Sequence, residues 1–248
     1  GAYTTALLMV SFGWGFIPAI ICSIIVTGCL SFLVSIPAWR FRSDYFVMLS
    51  LAVQVTIYSL LYNWTGLTKG PFGITGIPKP TILGYKIDTL PNMFILSTVI
   101  AIICGVILYV LLRSPWGKAL KAMRDDELAA RGLGKNTRLF KLQAFLIACS
   151  MVALAGGLYA TYVSYIDPTS FTLDESILML SMVIVGGTGN FRGPIVGALI
   201  LIAIPEILRF VHIPEVFASN LRLLIYGILI ITMAHFRPQG LAGKYRFK

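Results

Sequence analysis

Long apolar runs, separated by short polar stretches, dominate this 248-residue sequence. The runs cover residues 14–37, 43–62, 93–112, 142–164, 176–188, 194–209 and 219–235. A helix needs about 20 apolar residues to cross a bilayer, and continuous rather than alternating runs favour helices over a barrel. The pattern predicts an all-α, polytopic membrane protein with about seven full spans in a single domain, 1–248. The fifth run is short and ends in glycines, so we expect a broken or tilted helix there.

The first residues, GAYTTALLMVSF, form one further apolar stretch of about 12 residues, which is too short to cross a bilayer. A signal peptide would show a basic region followed by a cleavage site, and this stretch has neither. We expect the end of a truncated N-terminal helix here. The alternative is a short interfacial segment.

Composition and charge agree with a membrane protein and orient it. Hydrophobic residues make up 57% of the chain and charged residues 12%, whereas a soluble domain has about 25% charged residues. If run 14–37 starts outside, fifteen of the 20 Lys and Arg residues fall on one side, in segments 38–42, 113–141, 189–193 and 236–248. The positive-inside rule makes that side, with the C-terminus, the cytoplasm. It also explains the net charge of +10 without a nucleic-acid partner.

Residue types that build catalytic or metal sites are sparse. The four cysteines all lie in apolar runs without paired ligand spacing: Cys22, Cys29, Cys104 and Cys149. We therefore expect buried free thiols, no metal site and no catalytic residues. The span centres also lack Asp, Glu and His, which argues against a proton relay and favours a neutral or zwitterionic solute. Polar residues within the runs could line a path or bond between helices: Gln54, Thr56, Tyr58, Ser59, Ser150, Tyr159 and Ser181.

A glycine-rich stretch joins the fifth and sixth runs. It does not contain the GxxxxGK[ST] pattern of a phosphate loop, and it follows an apolar helix rather than a strand. A helix break at the membrane edge, followed by close packing of small residues, is the better interpretation. The residues assigned to this break and its packing are Gly186, Gly187, Gly189, Gly193, Pro194 and Gly197.

The external loop, residues 63–91, is rich in Gly and Pro, which favour turns. It is too long to be a minimal connector. Two interpretations stay open. In the first, the loop has a function, either as a surface for an external partner or as a lid over the pathway. In the second, it is an ordinary ordered loop.

The cytoplasmic segment, residues 113–141, carries signals for two short helices. Ser114 followed by Pro115 predicts an N-cap and a first helical turn. Asp125 or Asp126 is expected to cap a second helix, in which Glu127 pairs with Arg131 four residues later. The segment carries further signals: Gly132 and Gly134 as stops, Asn136 or Thr137 as the cap of the next span, and small residues at Ala129 and Ala130 that allow close approach by a partner.

Seven stretches, in this order and spacing, resemble the permease subunits of bacterial branched-chain amino acid ABC importers, the LivM-like group. They are GAYTTALL, FRSDYFVMLSLA, LTKGPFGITGIPKP, SPWGKALKAMRDDELAARGLG, KLQAFLIACSMVALAGGLYA, IVGGTGNFRGPIVGALI and RPQGLAG. The resemblance runs through almost the whole chain. Members of this family carry one or two further spans before the position of GAYTTALL, which agrees with a truncated first helix.

The resemblance implies that a cytoplasmic element of this chain couples to an ATPase subunit. The family signature is Ala-Ala followed after three residues by Gly, with Glu directly before the alanines. Here Leu stands in that place and Glu is one position earlier, so the signature is partial. The coupling residues implied are Arg124, Glu127, Leu128, Ala129, Ala130 and Gly134.

The implied machine is a multi-pass importer of the bacterial inner membrane. Its partners would be a second homologous permease, two ATPase subunits that bind ATP and Mg, and an external solute-binding protein. This chain would hold no cofactor and would not itself be an enzyme. The same machine for urea, short amides or other amino acids is the nearest alternative. An ion-coupled secondary carrier or channel, and a structural membrane subunit without a pathway, are the others.

Overall fold

The computed structural model describes residues 1–38, 43–82, 84–187, 191–210, 224–232 and 240–241, with side chains at all of these except 36–38, 43–46 and 204–210. The helices are α1 (Ala2–Ser11), α2 (Phe16–Ala38), α3 (Ser43–Asn63), α4 (Thr65–Thr68), α5 (Leu90–Arg113), α6 (Pro115–Asp125), α7 (Glu127–Gly132), α8 (Thr137–Val163), α9 (Leu173–Gly186), α10 (Arg192–Phe210) and α11 (224–232). They belong to two compact units, Gly1–Ser170 and Phe171–Lys248.

Four stretches are long and apolar enough to cross a membrane: Phe16–Ser35, Leu90–Arg113, Thr137–Val163 and Pro168–Gly186. A fifth is bent by 70° between Val47–Asn63 and Thr65–Phe72. An all-α membrane protein is therefore confirmed, but the described residues do not reach the seven full spans expected.

The shortfall lies in the last two runs. Helix α10 has 19 residues, about 28 Å at 1.5 Å per residue, but its side chains are described only as far as residue 203, and the apolar helix within that part is Arg192–Ala203. Run 219–235 is described only over 224–232.

The core of the first unit forms where α1 packs between α2 and α8. Small residues permit this packing: a Cβ on Gly157 would lie 2.9 Å from Thr5 Oγ1 and 3.2 Å from Ile20 Cγ1. Ala6 and Ala160 are fully buried in one apolar cluster. Helix α1 is thus a central element of the unit rather than a surface segment.

The external loop is ordered and fastened to the end of α8. Strand β1 (Ile74–Thr75) pairs antiparallel with β4 (Tyr165–Ile166), which follows α8, and β2 (Thr81–Ile82) pairs with β3 (Tyr85–Lys86). Gly73 adopts φ +67°, and a Cβ there would lie 2.3 Å from the Ile166 carbonyl oxygen. The side chain of Ile77 is buried in the same cluster as Ala6. The loop therefore packs on this core at the end of α8.

Three of the six hydroxyl groups proposed from the sequence as path-lining or interhelical bond to their own helix. Thr56 Oγ1 donates to the Ala52 carbonyl at 2.8 Å, and Ser150 Oγ donates to the Leu146 carbonyl at 2.8 Å. Ser181 is buried and donates to Ile177 at 2.6 Å. Because each bond closes within one helix, these groups do not hold helices together. The expected thiols are free, but Cys29 is exposed on the protein surface and the other three are only partly buried.

Candidate functional site

The cytoplasmic segment begins with a sharp reversal between α5 and α6. Ser114 caps α6, because its Oγ accepts a hydrogen bond from the Gly117 amide at 3.3 Å, and Pro115 occupies the first turn as predicted. The turn is tight at Gly117, where a Cβ would lie 2.5 Å from Leu112 Cα. Only glycine fits this close approach. Helix α6 therefore begins in close contact with the last turn of α5.

Helix α6 is fastened to α8 by an indole. Trp116 Nε1 donates a hydrogen bond to Gln143 Oε1 at 2.8 Å. Met123 supplies the buried apolar contact on the same helix. These two side chains fix the position of α6, which the shorter helix α7 follows.

The start of α7 uses one of the two aspartates named from the sequence. Asp126 has an extended backbone, φ −152° and ψ 108°, and its Oδ1 accepts from the Ala129 amide at 3.0 Å. Asp125 instead ends α6 and pairs with Arg124 at 3.0 Å. A capping carboxylate satisfies an amide that has no partner within the helix. The predicted second helix is confirmed, with Asp126 as its cap.

The end of α7 is a Schellman motif. The Lys135 amide donates to the Ala130 carbonyl at 3.2 Å, and the Gly134 amide donates to Arg131 at 2.9 Å. Gly134 adopts φ +76°, the left-handed conformation that this motif requires at its glycine. Asn136 then caps α8 through the Leu139 amide at 3.4 Å. The predicted stop and cap are both confirmed.

The two alanines of α7 face opposite ways. Ala130 is 5% exposed, whereas Ala129 lies on the solvent side. Leu128 and Leu133 are 77% and 81% exposed. Leu128, Ala129 and Leu133 are called here the apolar face of α7.

Glu127 joins α7 to α8 through both of its carboxylate oxygens. Oε1 lies 2.7 Å from Arg131 on the same helix, as predicted, and Oε2 lies 2.7 Å from Lys141 Nζ on α8. Arg131 Nε donates in turn to Thr137 Oγ1 at 2.9 Å. The hydrogen bond from Lys141 lowers the pKa of Glu127, and partial burial opposes this while Arg131 adds to it. Glu127 is therefore an ionised carboxylate shared by two cations.

Sequence reasoning missed Lys141 and Thr137 as partners of this helix. Lys141 is 14 positions from Glu127 and Thr137 is six positions from Arg131. Periodicity rules reach only three or four positions along one helix. The exposure of Leu133 was also missed. The signal for it was an apolar residue directly before the Gly134 stop.

The glycine junction lies in the second unit, where α9 packs against α10. A Cβ on Gly186 would lie 1.9 Å from the Gly193 carbonyl oxygen, and one on Gly197 would lie 1.9 Å from the Met182 carbonyl oxygen. Gly187 ends α9 with φ 108°. Pro194 occupies the first turn of α10, where a missing amide costs little, and Gly189 lies outside the described residues. The junction is a place where two helix backbones nearly touch.

Residue 241 returns to this junction, since the Leu241 amide donates to the Val185 carbonyl at 3.0 Å. Among the described residues, no three His, Cys, Asp or Glu side chains come together as metal ligands.

Long apolar helices joined by a capped polar segment suit a subunit of the membrane, and comparison with known proteins identifies its family. The model of a family described as "Branched-chain amino acid transport system / permease component" matches residues 1–234. The chain belongs to this family. The LivM-like resemblance is thereby confirmed.

Curated relatives of this permease carry related names. LivM of Escherichia coli (strain K12), a high-affinity branched-chain amino acid transport system permease protein, is 33% identical over 97% of this chain and 60% of its own length. The probable LivM of Methanocaldococcus jannaschii is 25% identical over 90% of this chain and 68% of its own length. The autoinducer 2 import system permease protein LsrC of Salmonella typhimurium is 26% identical over 69% and 50%.

The chain thus spans 60% of the length of the E. coli LivM relative. No solved structure gives a significant match.

Proposed function

We propose that this permease is the membrane-spanning subunit of an ATP-driven importer for branched-chain or related neutral amino acids. Family membership over residues 1–234 is the observation that carries the proposal. The absence of Asp, Glu and His from the centres of the apolar runs favours a zwitterionic cargo over a highly charged one. The chain would lie in the bacterial inner membrane with its C-terminus in the cytoplasm.

The partners in this proposal are a second homologous permease, two ATPase subunits and an external solute-binding protein. ATP and Mg would be bound by the ATPase subunits, and this chain would supply no catalytic group. Closure of the ATPases would switch the open side of the pathway, which requires that they contact the two states of the permease differently.

The apolar face of α7 is the surface proposed for ATPase docking. Leu128 and Leu133 are largely exposed, and their contact with water is unfavourable until a partner covers them. Arg124, Glu127, Ala130 and Gly134 belong to the coupling element in the same proposal. Because Ala130 is buried, replacing it would disturb the helix itself, and Ala129 is the better position for a test.

The test compares Ala129→Arg with Ala122→Arg, a matched exposed alanine on α6. We expect Ala129→Arg to insert into the membrane normally, to lose the ATPase subunits on purification, and to lose ATP-dependent uptake in proteoliposomes. Ala122→Arg should retain both. Wild-type uptake by Ala129→Arg would refute docking at this face, and uptake driven by an ion gradient without ATP would favour a secondary carrier.

A second candidate keeps the machine and changes the cargo. The likeness to a permease named for autoinducer 2 import is the observation that favours a different cargo. The alternatives are urea, short amides and other amino acids. Competition of each unlabelled solute against labelled leucine, in proteoliposomes of the assembled importer, separates these cargoes.

A further inference from the structure

We propose that the Glu127–Lys141 pair is the link through which movement of α7 reaches α8. The proposal rests on the proposed function, since it concerns the step after an ATPase has docked. It assigns Lys141, which is not among the coupling residues implied by the resemblance, as a positioning residue for coupling. The supporting observations are the connector between the helices, the two faces of α7 and the packing of α8.

The covalent connector between α7 and α8 transmits movement of α7 poorly. It runs through residues 133–136 and includes Gly134 in the left-handed conformation, and glycine resists changes of backbone angle less than other residues. Helix α7 has only six residues, too few to be stable alone. A push on α7 could therefore be absorbed by the connector unless a second attachment carries it.

The second attachment consists of side chains on the face opposite the apolar one. Glu127 Oε2 lies 2.7 Å from Lys141 Nζ, and Arg131 Nε lies 2.9 Å from Thr137 Oγ1. Thr137 is 2% exposed. The two bonds attach α7 to the first turns of α8 at separate points, which opposes rotation of α7 about the connector. One face thus remains open to a partner while the other is bound to the span.

Helix α8 is suited to carry displacement to the outer side. Its 27 residues make a rod about 40 Å long. It packs closely on α1 and α2 through Gly156 and Gly157. Strand β4 follows its outer end and pairs with β1 of the external loop. A contiguous series of packed elements therefore joins the Glu127–Lys141 pair to the external loop within the first unit.

Exposure of the pair makes the proposal testable without unfolding the protein. The Glu127 and Lys141 side chains are 33% and 57% exposed, and ion pairs exposed to this extent contribute little to stability. Their loss should leave the fold and the apolar face of α7 in place. A coupling defect can then be separated from a folding defect and from a docking defect.

The experiment uses the complete importer, with its ATPase subunits and binding protein, reconstituted in proteoliposomes. Uptake and ATP hydrolysis are measured together for Lys141→Met, Lys141→Arg, Glu127→Gln and the double variant Glu127→Gln/Lys141→Met. Lys135→Met is the matched control, since this nearby cation makes no ion pair among the described residues. Retention of the ATPase subunits on purification is recorded for each.

We expect Lys141→Met to keep its ATPase subunits but to transport about 2- to 30-fold less solute per ATP, the range in which residues between two sites change coupling. Lys141→Arg and Lys135→Met should resemble wild type. The double variant should be no worse than the worse single variant, because both remove one interaction.

A wild-type transport ratio in Lys141→Met, or additive losses in the double variant, would overturn the link. Loss of the ATPase subunits from Lys141→Met would also overturn it, because the pair would then be needed for docking rather than for the transfer of movement to α8. Failure of the proposed function looks different: the wild-type importer itself would show no ATP-dependent uptake.

Discussion

Replacing Gly197 by alanine tests the closest helix contact in the second unit. The new Cβ would lie 1.9 Å from the Met182 carbonyl oxygen and 2.8 Å from the Gly186 amide nitrogen. Ordinary contact begins at 3.4 Å, so α9 and α10 would have to separate by about 1.5 Å. Both obstacles are backbone atoms, which cannot move aside as a side-chain end can.

The magnitude is set by two opposing effects. Overpacking of this kind costs about 1–3 kcal/mol, and the rigid backbone contact places Gly197→Ala at the upper end. Alanine stabilises a helix over glycine by about 1 kcal/mol. The net loss in the free energy of unfolding is therefore about 2 kcal/mol. For a chain of this length it corresponds to a Tm about 4–8 °C lower.

The assay is thermal unfolding in detergent micelles, followed by circular dichroism, with Gly227→Ala as the matched control. Gly227 also lies in a helix, but a Cβ there would meet nothing within 4 Å. The control should gain the helix preference without the clash, so its Tm should equal or exceed that of wild type. A Tm for Gly197→Ala as high as that of Gly227→Ala would refute the backbone contact.

Two further predictions concern α7. Asp126→Ala removes the cap bond to the Ala129 amide, a loss of about 1 kcal/mol that should speed hydrogen exchange of that amide about 5-fold. Asp125→Ala is the control, and equal acceleration by it would contradict the assignment of the cap. Because the Lys141 ammonium lowers the pKa of Glu127, the pair stabilises α7 above the ordinary carboxyl pKa. This stabilisation is lost as pH falls through the lowered pKa. After correction for the intrinsic pH dependence of amide exchange, the protection of α7 amides should therefore fall on acidification in wild type more than in Glu127→Gln, and identical profiles would contradict the ion pair.

Local signals in the cytoplasmic segment were readable from the sequence because caps and stops depend on residues a few positions apart. Ser114, Asp126, Gly134 and Asn136 each perform the predicted role at a helix end. The pairing of Glu127 with Arg131 follows from helical spacing alone. Even so, the sequence could not choose between Asp125 and Asp126, since both carboxylates stand at the boundary.

The number of membrane spans was harder to predict from the sequence than their presence. Long apolar helices are present at runs 14–37, 93–112 and 142–164. About 20 continuous apolar residues are typical of a membrane-spanning helix, so these spans were predictable. The bend of 70° after Asn63 was not foreseen, since hydropathy measures composition and not direction. Run 176–188 overlaps a longer candidate span, Pro168–Gly186, whose first residues include polar ones that interrupt the apolar pattern.

The sequence by itself determined the class of the molecule, the helical character of its apolar runs and the division of the cytoplasmic segment into two capped helices. These depend on composition and on short-range spacing. Only the tertiary structure decided that Ala130 faces inward and Ala129 outward, and that Lys141 completes the pair with Glu127. Facing is set by what each helix packs against, and a contact across 14 positions depends on how the connector folds back. The residues proposed for coupling were therefore foreseeable as a segment, and the packing of α7 on α8 decided which of them are buried and which are exposed.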